Sequence, residues 1–155
     1  MPFRIHALPA EPFAPLFELS DTELTARGIC RVTATSEPGF PCRVSLEDAR
    51  IGEELLLLNH AHLEGDTPYA ARHAIFVRRG VARARPAMGE VPPVLRHRLL
   101  SVRAYDGARM MVEADVVEGA DLAERLDAML AGAAVEMVHI HNAKQGCFAA
   151  MATRD

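Results

Sequence analysis

The chain has 155 residues, half of them apolar and a quarter charged, with a formal net charge of −4 at pH 7. That length fits one compact domain, residues 1–155, because single cores usually serve roughly 100 to 200 residues. No apolar run approaches the roughly 18 residues of a membrane span, so no membrane partner is expected.

Three cysteines, Cys30, Cys42 and Cys147, stand far apart without C-x-x-C spacing. This argues against a zinc knuckle, a thioredoxin-like site or a disulfide framework, and reduced, packed thiols are the expectation. The segment Met1-Pro2-Phe3-Arg4-Ile5-His6 lacks a basic region followed by an apolar stretch, which makes the cytoplasm the expected location.

In chain order, Phe3 to Leu8 reads as a short strand, and Pro9, Pro12 and Pro15 then forbid a long helix. Ser20 or Asp21 caps a helical stretch from Thr22 to Arg27 that Gly28 closes, and Ile29 to Thr35 is a β-branched strand. Ser45 and Asp48 have capping-box spacing, which predicts a single helical turn closed by Gly52. Leu55 to Leu58 is a continuous apolar run and reads as a central strand buried on both faces. Residues 61–72 form a loop, His73 to Val77 another strand, and Gly80 to Pro93 a long surface loop. Leu99 to Ala104 and Arg109 to Val116 form a hairpin around Asp106-Gly107. Leu122, Leu126, Met129 and Leu130 recur at helical spacing, which predicts one long amphipathic helix over about 121–131. Val135 to Asn142 and Cys147 to Thr153 pair across the turn at 143–146. The fold class is α+β: a mostly antiparallel β-sheet with that helix and short helical turns.

Charge is segregated. From Arg72 to Arg103 there are eight arginines against one acid, Glu90, whereas Glu113 to Glu136 is acidic apart from Arg125. A solvated or internally paired face is the plain reading, and the acidic overall balance speaks against nucleic acid as a partner. A homodimer stays open, with the two complementary segments as one means of forming it.

Two H-x-H pairs stand out, His60 with His62 and His139 with His141. In a strand each pair points to one face, with α-carbons roughly 6.5 Å apart, and imidazoles suit zinc, copper or iron. A metal-binding protein is therefore one alternative. The strands would have to be neighbours with their histidine ends together, however, and no carboxylate is fixed beside either pair. Hydrogen-bonding histidines at strand ends are the plainer reading, with no metal ligand and no cofactor assigned. The H-x-H-x-H pattern of nucleotidyl hydrolases is incomplete, since Ala143 takes its third position.

Ahead of the metal-binding alternative stands a cytosolic thiol hydrolase with Cys147 as nucleophile and His141 as base, because a thiol is activated by a nearby base or cation. The leading expectation is a polar cavity near Arg43, Ser45, Tyr69, His73 and Asn142 that holds a small anionic ligand. A guanidinium offers a bidentate contact to a carboxylate or phosphate there. Arg43 and Ser45 share a face if a strand continues through Ser45.

The stretches PGFPCRVSLEDARIGEELLLLNH, DTPYAARHAIFVRRG, LLSVRAYD and VHIHNAKQGCFAA, in that order, together resemble the bacterial domain-of-unknown-function 1203 family. The resemblance covers nearly the whole chain and implies a single bacterial domain. It marks Pro41, Cys42, Arg43, Ser45, Leu46, Pro68, Tyr69, His141, Asn142, Gly146 and Cys147 as family-pattern positions. Thr67 stands where the family often has serine, and His139 is outside the pattern. The family's activity is unknown, so the resemblance moves weight from the histidine pair to His141, Asn142, Gly146 and Cys147 without naming a reaction.

Overall fold

The computed structural model describes residues 2–155, and its strands form two sheets where the sequence suggested one. The larger has the order β1 (Phe3–His6), β8 (Phe148–Arg154), β7 (Met137–Asn142), β5 (Leu99–Tyr105), β6 (Met111–Glu118). The smaller places β3 (Glu54–Leu63) between β2 (Cys30–Thr33) and β4 (Ala71–Arg78). Every strand pair in both sheets is antiparallel. The α+β class and the central placement of the leucine strand hold. That strand is longer than the leucine run, however, and takes in His60 and His62, so the loop expected over 61–72 shrinks to 64–70.

Local chemistry accounts for the connections. Ser20 and Glu23 close a capping box at the start of α1 (Asp21–Ala26), each side chain meeting the other residue's backbone N–H. At the β5–β6 turn the Asp106 carboxylate accepts from Ala108 N and Met110 N at 2.9 and 3.0 Å, which fixes the reversal that Asp-Gly signals.

The helix is shorter than expected. A single 3₁₀ turn (Gly119–Asp121) leads into α3 (Leu122–Leu130), nine residues long. Leu122, Leu126, Met129 and Leu130 are buried as their spacing demands, and this stripe is covered within two and a half turns. The turn before it requires glycine: a β-carbon at Gly119 would collide with the backbone of Leu95 and Arg96, which end α2 (Pro93–Arg96). Among the described residues no helix is long and apolar enough to cross a membrane.

The condition for Arg43 and Ser45 to share a face, a strand continuing through Ser45, is not met, and the expected capped turn does not form. Pro41 and Cys42 make only isolated bridges, and residues 43–45 turn. The Ser45 hydroxyl accepts from Arg78 Nη1 at 3.1 Å rather than capping a helix, and Asp48 is taken by Arg98 at 2.5 Å. This segment ties the two halves together. Cys42 and Val44 enter the core under the smaller sheet, while Leu46 reaches the core between the larger sheet and α3. Leu46 holds φ 53°, a left-handed conformation costly for leucine that the packing on both sides sustains.

The larger sheet has two different faces. Toward α3 it presents Leu100, Val102, Ala104, Val138 and Ile140, all fully buried. Toward the smaller sheet it presents Ser101, Arg103 and Tyr105 on β5, His139 and His141 on β7, and Phe148 on β8. The facing side of the smaller sheet is apolar at one end, with Leu56, Leu58, Ile75 and Val77, and turns to His60, His62 and His73 at the other.

Candidate functional site

The two H-x-H pairs do meet, but face to face across two sheets rather than side by side in one. His62 on β3 reaches His139 and His141 on β7, and β4 adds His73 beside them. The His62 ring is stacked between those of His73 and Phe148, with centroids at 4.7 and 5.0 Å and planes 12° and 11° apart. His141 stands edge-on to both His62 and His73. One coordinating nitrogen from each of His62, His73 and His141 lies within 4.8 Å of the other two.

Hydrogen bonds orient these rings. His141 Nδ1 lies 3.0 Å from the Gly146 carbonyl, which can only accept, so the proton sits on Nδ1 and Nε2 is bare. Gly146 takes φ +78° to place that carbonyl at the end of the β7–β8 turn. His62 Nδ1 and His139 Nδ1 are 3.0 Å apart and share one proton. Burial holds the rings neutral at pH 7. Desolvation, reinforced by the neighbouring rings, pushes His62 down to about 3. Desolvation takes His141 to about 3 and His139 to about 4, with Arg103 adding to both.

Among the described residues, five buried side-chain polar atoms lack a hydrogen-bond partner, and four of them are here: His62 Nε2, His73 Nδ1, His141 Nε2 and Asn142 Oδ1. Each such atom costs about 1–3 kcal/mol, so their concentration in one place marks a region shaped by something other than stability.

A cavity of about 320 Å³ adjoins this layer along the free edge of β4, lined among others by Pro41, Arg43, His73, Phe76, Asn142 and Cys147. Arg43 is 2% exposed. Its guanidinium donates to the carbonyls of Phe148 and Pro41 at 2.8 and 2.5 Å and to Cys147 Sγ at 3.0 Å, and it has no carboxylate partner among the described residues. Desolvation lowers its pKa, with the Cys147 sulfur acting in the opposite sense. Asn142 Nδ2 points at the same sulfur from 3.6 Å.

Of the residues singled out from the sequence, Arg43, His73, Asn142 and Cys147 therefore come together on one cavity wall. Ser45 is turned away onto Arg78. Tyr69 lies outside the cavity at the far end of the histidine layer, edge-on to Tyr105, which in turn meets His139. Cys147 and His141 do not pair: the sulfur faces two N–H donors, and the His141 nitrogens are turned to Gly146 and to the other rings. The sequence singled out His62 only as the partner of His60 in a metal-binding alternative, and showed neither its place beside His73 nor its stacking on Phe148. The alternation Leu56, Leu58, His60, His62 along one strand was the available signal.

Among the described residues, three of the eight arginines from Arg72 to Arg103 have acidic partners. Arg78 pairs with Glu53, Arg79 with Glu18 and Glu54, and Arg98 with Asp48, while Arg125 serves Glu113 and Asp115. Among the described residues no ion pair joins the basic segment 72–103 to the acidic one 113–136.

A search of curated proteins and one of solved structures returned no match. A family model described as protein of unknown function (DUF1203) matches residues 39–154, a span that holds the segment from Pro41 to Leu46, both H-x-H pairs, His73, Asn142 and Cys147. With that span matched, the chain belongs to the DUF1203 family.

Proposed function

We propose that the chain binds a small organic anion carrying a hydroxyl or amide donor, in the cavity walled by Arg43, His73, Asn142 and Cys147. The observation that carries this reading is a guanidinium buried without a carboxylate, in the wall of a cavity also lined by Asn142, whose Oδ1 has no partner. A buried charge is stable only when paired, and an anion in the cavity completes the pairing that protein carbonyls and one sulfur leave partial. Its hydroxyl or amide N–H then satisfies Asn142 Oδ1. The volume lies at the small end of ligand sites, and Pro41, Leu57 and Phe76 supply an apolar wall. The reading takes residues 1–155 as one domain working in the bacterial cytoplasm.

Thermal unfolding in graded lactate, citrate and inorganic phosphate tests it. A saturable rise in stability is expected with a hydroxycarboxylate, reaching about 2.7 kcal/mol at a hundredfold excess over Kd. Asn142→Asp, which keeps the side-chain shape and adds a repelling charge, should abolish the rise, as should Arg43→Met. An equal rise in wild type and both variants would overturn the reading.

A further inference from the structure

We propose that His62, His73 and His141 bind one late first-row transition-metal ion, zinc being the natural occupant for a neutral three-imidazole set. The site goes beyond the anion cavity and stands on different atoms, with only His73 common to both.

Three nitrogens carry the argument. His62 Nε2, His73 Nδ1 and His141 Nε2 are buried and unpartnered, and the same three rings bring their coordinating atoms within 4.8 Å of one another. The His141 tautomer is forced by the Gly146 carbonyl, so its lone pair points inward. When His62 donates its Nδ1 proton to His139, Nε2 is bare in the same way. Metal-binding histidines characteristically make such bonds through their second nitrogen, to a carbonyl or another acceptor, which sets ring orientation and basicity. Stacking on Phe148 holds the His62 plane in addition.

A trapped water completes this arrangement only when one ring turns an N–H toward it, since water has two hydrogens to donate. A cation accepts all three lone pairs at once. Tetrahedral binding with Zn–N bonds of roughly 2.0–2.1 Å puts ligand nitrogens about 3.3 Å apart, so the rings close inward on the ion and the stacked His62 and His73 planes tilt apart. Three protein ligands leave a fourth position open, the pattern of catalytic rather than structural zinc. His73 belongs to the cavity wall as well as to the triad, which places the metal beside the cavity. No carboxylate is in the set, and Arg103 acts electrostatically on His73, His139 and His141. The loaded site is thus strongly positive and selects hydroxide or an anionic group as the fourth ligand.

The test uses full-length protein without a histidine tag, stripped with EDTA and titrated with cobalt(II) and then zinc, with no organic anion present. One equivalent of cobalt(II) is expected to produce the visible ligand-field absorption of a low-coordinate nitrogen site, and one equivalent of zinc to remove it. His62→Gln, His73→Gln and His141→Gln should each weaken binding by ~100-fold or more, at least the loss seen on removing an outer-sphere partner. His97→Gln, at an exposed position, should leave it unchanged. Sub-stoichiometric cobalt binding, a six-coordinate aquo spectrum, or full affinity in the three variants would overturn the proposal. So would loss of binding in Cys147→Ser with His73→Gln unaffected. The wild-type spectrum decides even if a variant fails to fold. Because the probe is the metal alone, this result is independent of whether the cavity takes an anion.

Discussion

Val138 and Ile140 on one side of β7, and His139 and His141 on the other, are buried to the same degree, none being more than 2% exposed. The first pair packs into aliphatic side chains under α3. The second packs into imidazoles, a phenyl ring and Tyr105, with bare nitrogens left over. Burial therefore does not separate core from site here; satisfaction does. The apolar face contributes area removed from water. The polar face holds buried groups that nothing in the chain completes, a conflict that native sequences tolerate chiefly where function requires it.

Four measurements break or sharpen this contrast. Ile140→Ala, on the apolar face, should cost about 2–5 kcal/mol in urea unfolding, with the metal stoichiometry of the folded protein unchanged. Acidification should act through the other face. His62, His139 and His141 have folded pKa values near 3 to 4, below the ordinary 6.5, so the unfolded chain takes up protons first. Their contribution is complete above pH 6.5 and is lost as pH falls toward 3. Around pH 5 the two fully buried rings alone give a slope of about 2–3 kcal/mol per pH unit in metal-free protein. A flat profile between pH 7 and 5 would mean the rings are not buried as described.

His141→Phe should change the stability of the metal-free protein by less than about 1 kcal/mol, because losing the bond to Gly146 is offset by removing an unpartnered nitrogen. It should also flatten the acid slope. A large destabilisation would show the polar face to be structural after all. The smallest effect belongs to neither face: Arg79→Ala, at an exposed pair with Glu18 and Glu54, should cost at most about 1 kcal/mol and leave metal and anion binding intact.

The sequence by itself determined the elements whose signals are local. The capping box at Ser20, the Asp106-Gly107 hairpin, the apolar stripe of α3 and the alternation along β7 each depend on residues within a few positions of one another. It also brought Arg43, His73, Asn142 and Cys147 forward as candidates, and the structure sets them around one cavity. Where local signals had two outcomes the reading erred: Ser45-x-x-Asp48 has capping spacing, yet Arg78 and Arg98 draw both side chains into tertiary bonds. Only the tertiary structure decided that the histidine strands lie in separate sheets and face each other, that His73 joins them, and that Cys147 meets Arg43 instead of His141. Strand periodicity fixes which side chains share a face, but which sheet that face meets depends on contacts between residues about eighty positions apart, and spacing along the chain carries no record of them.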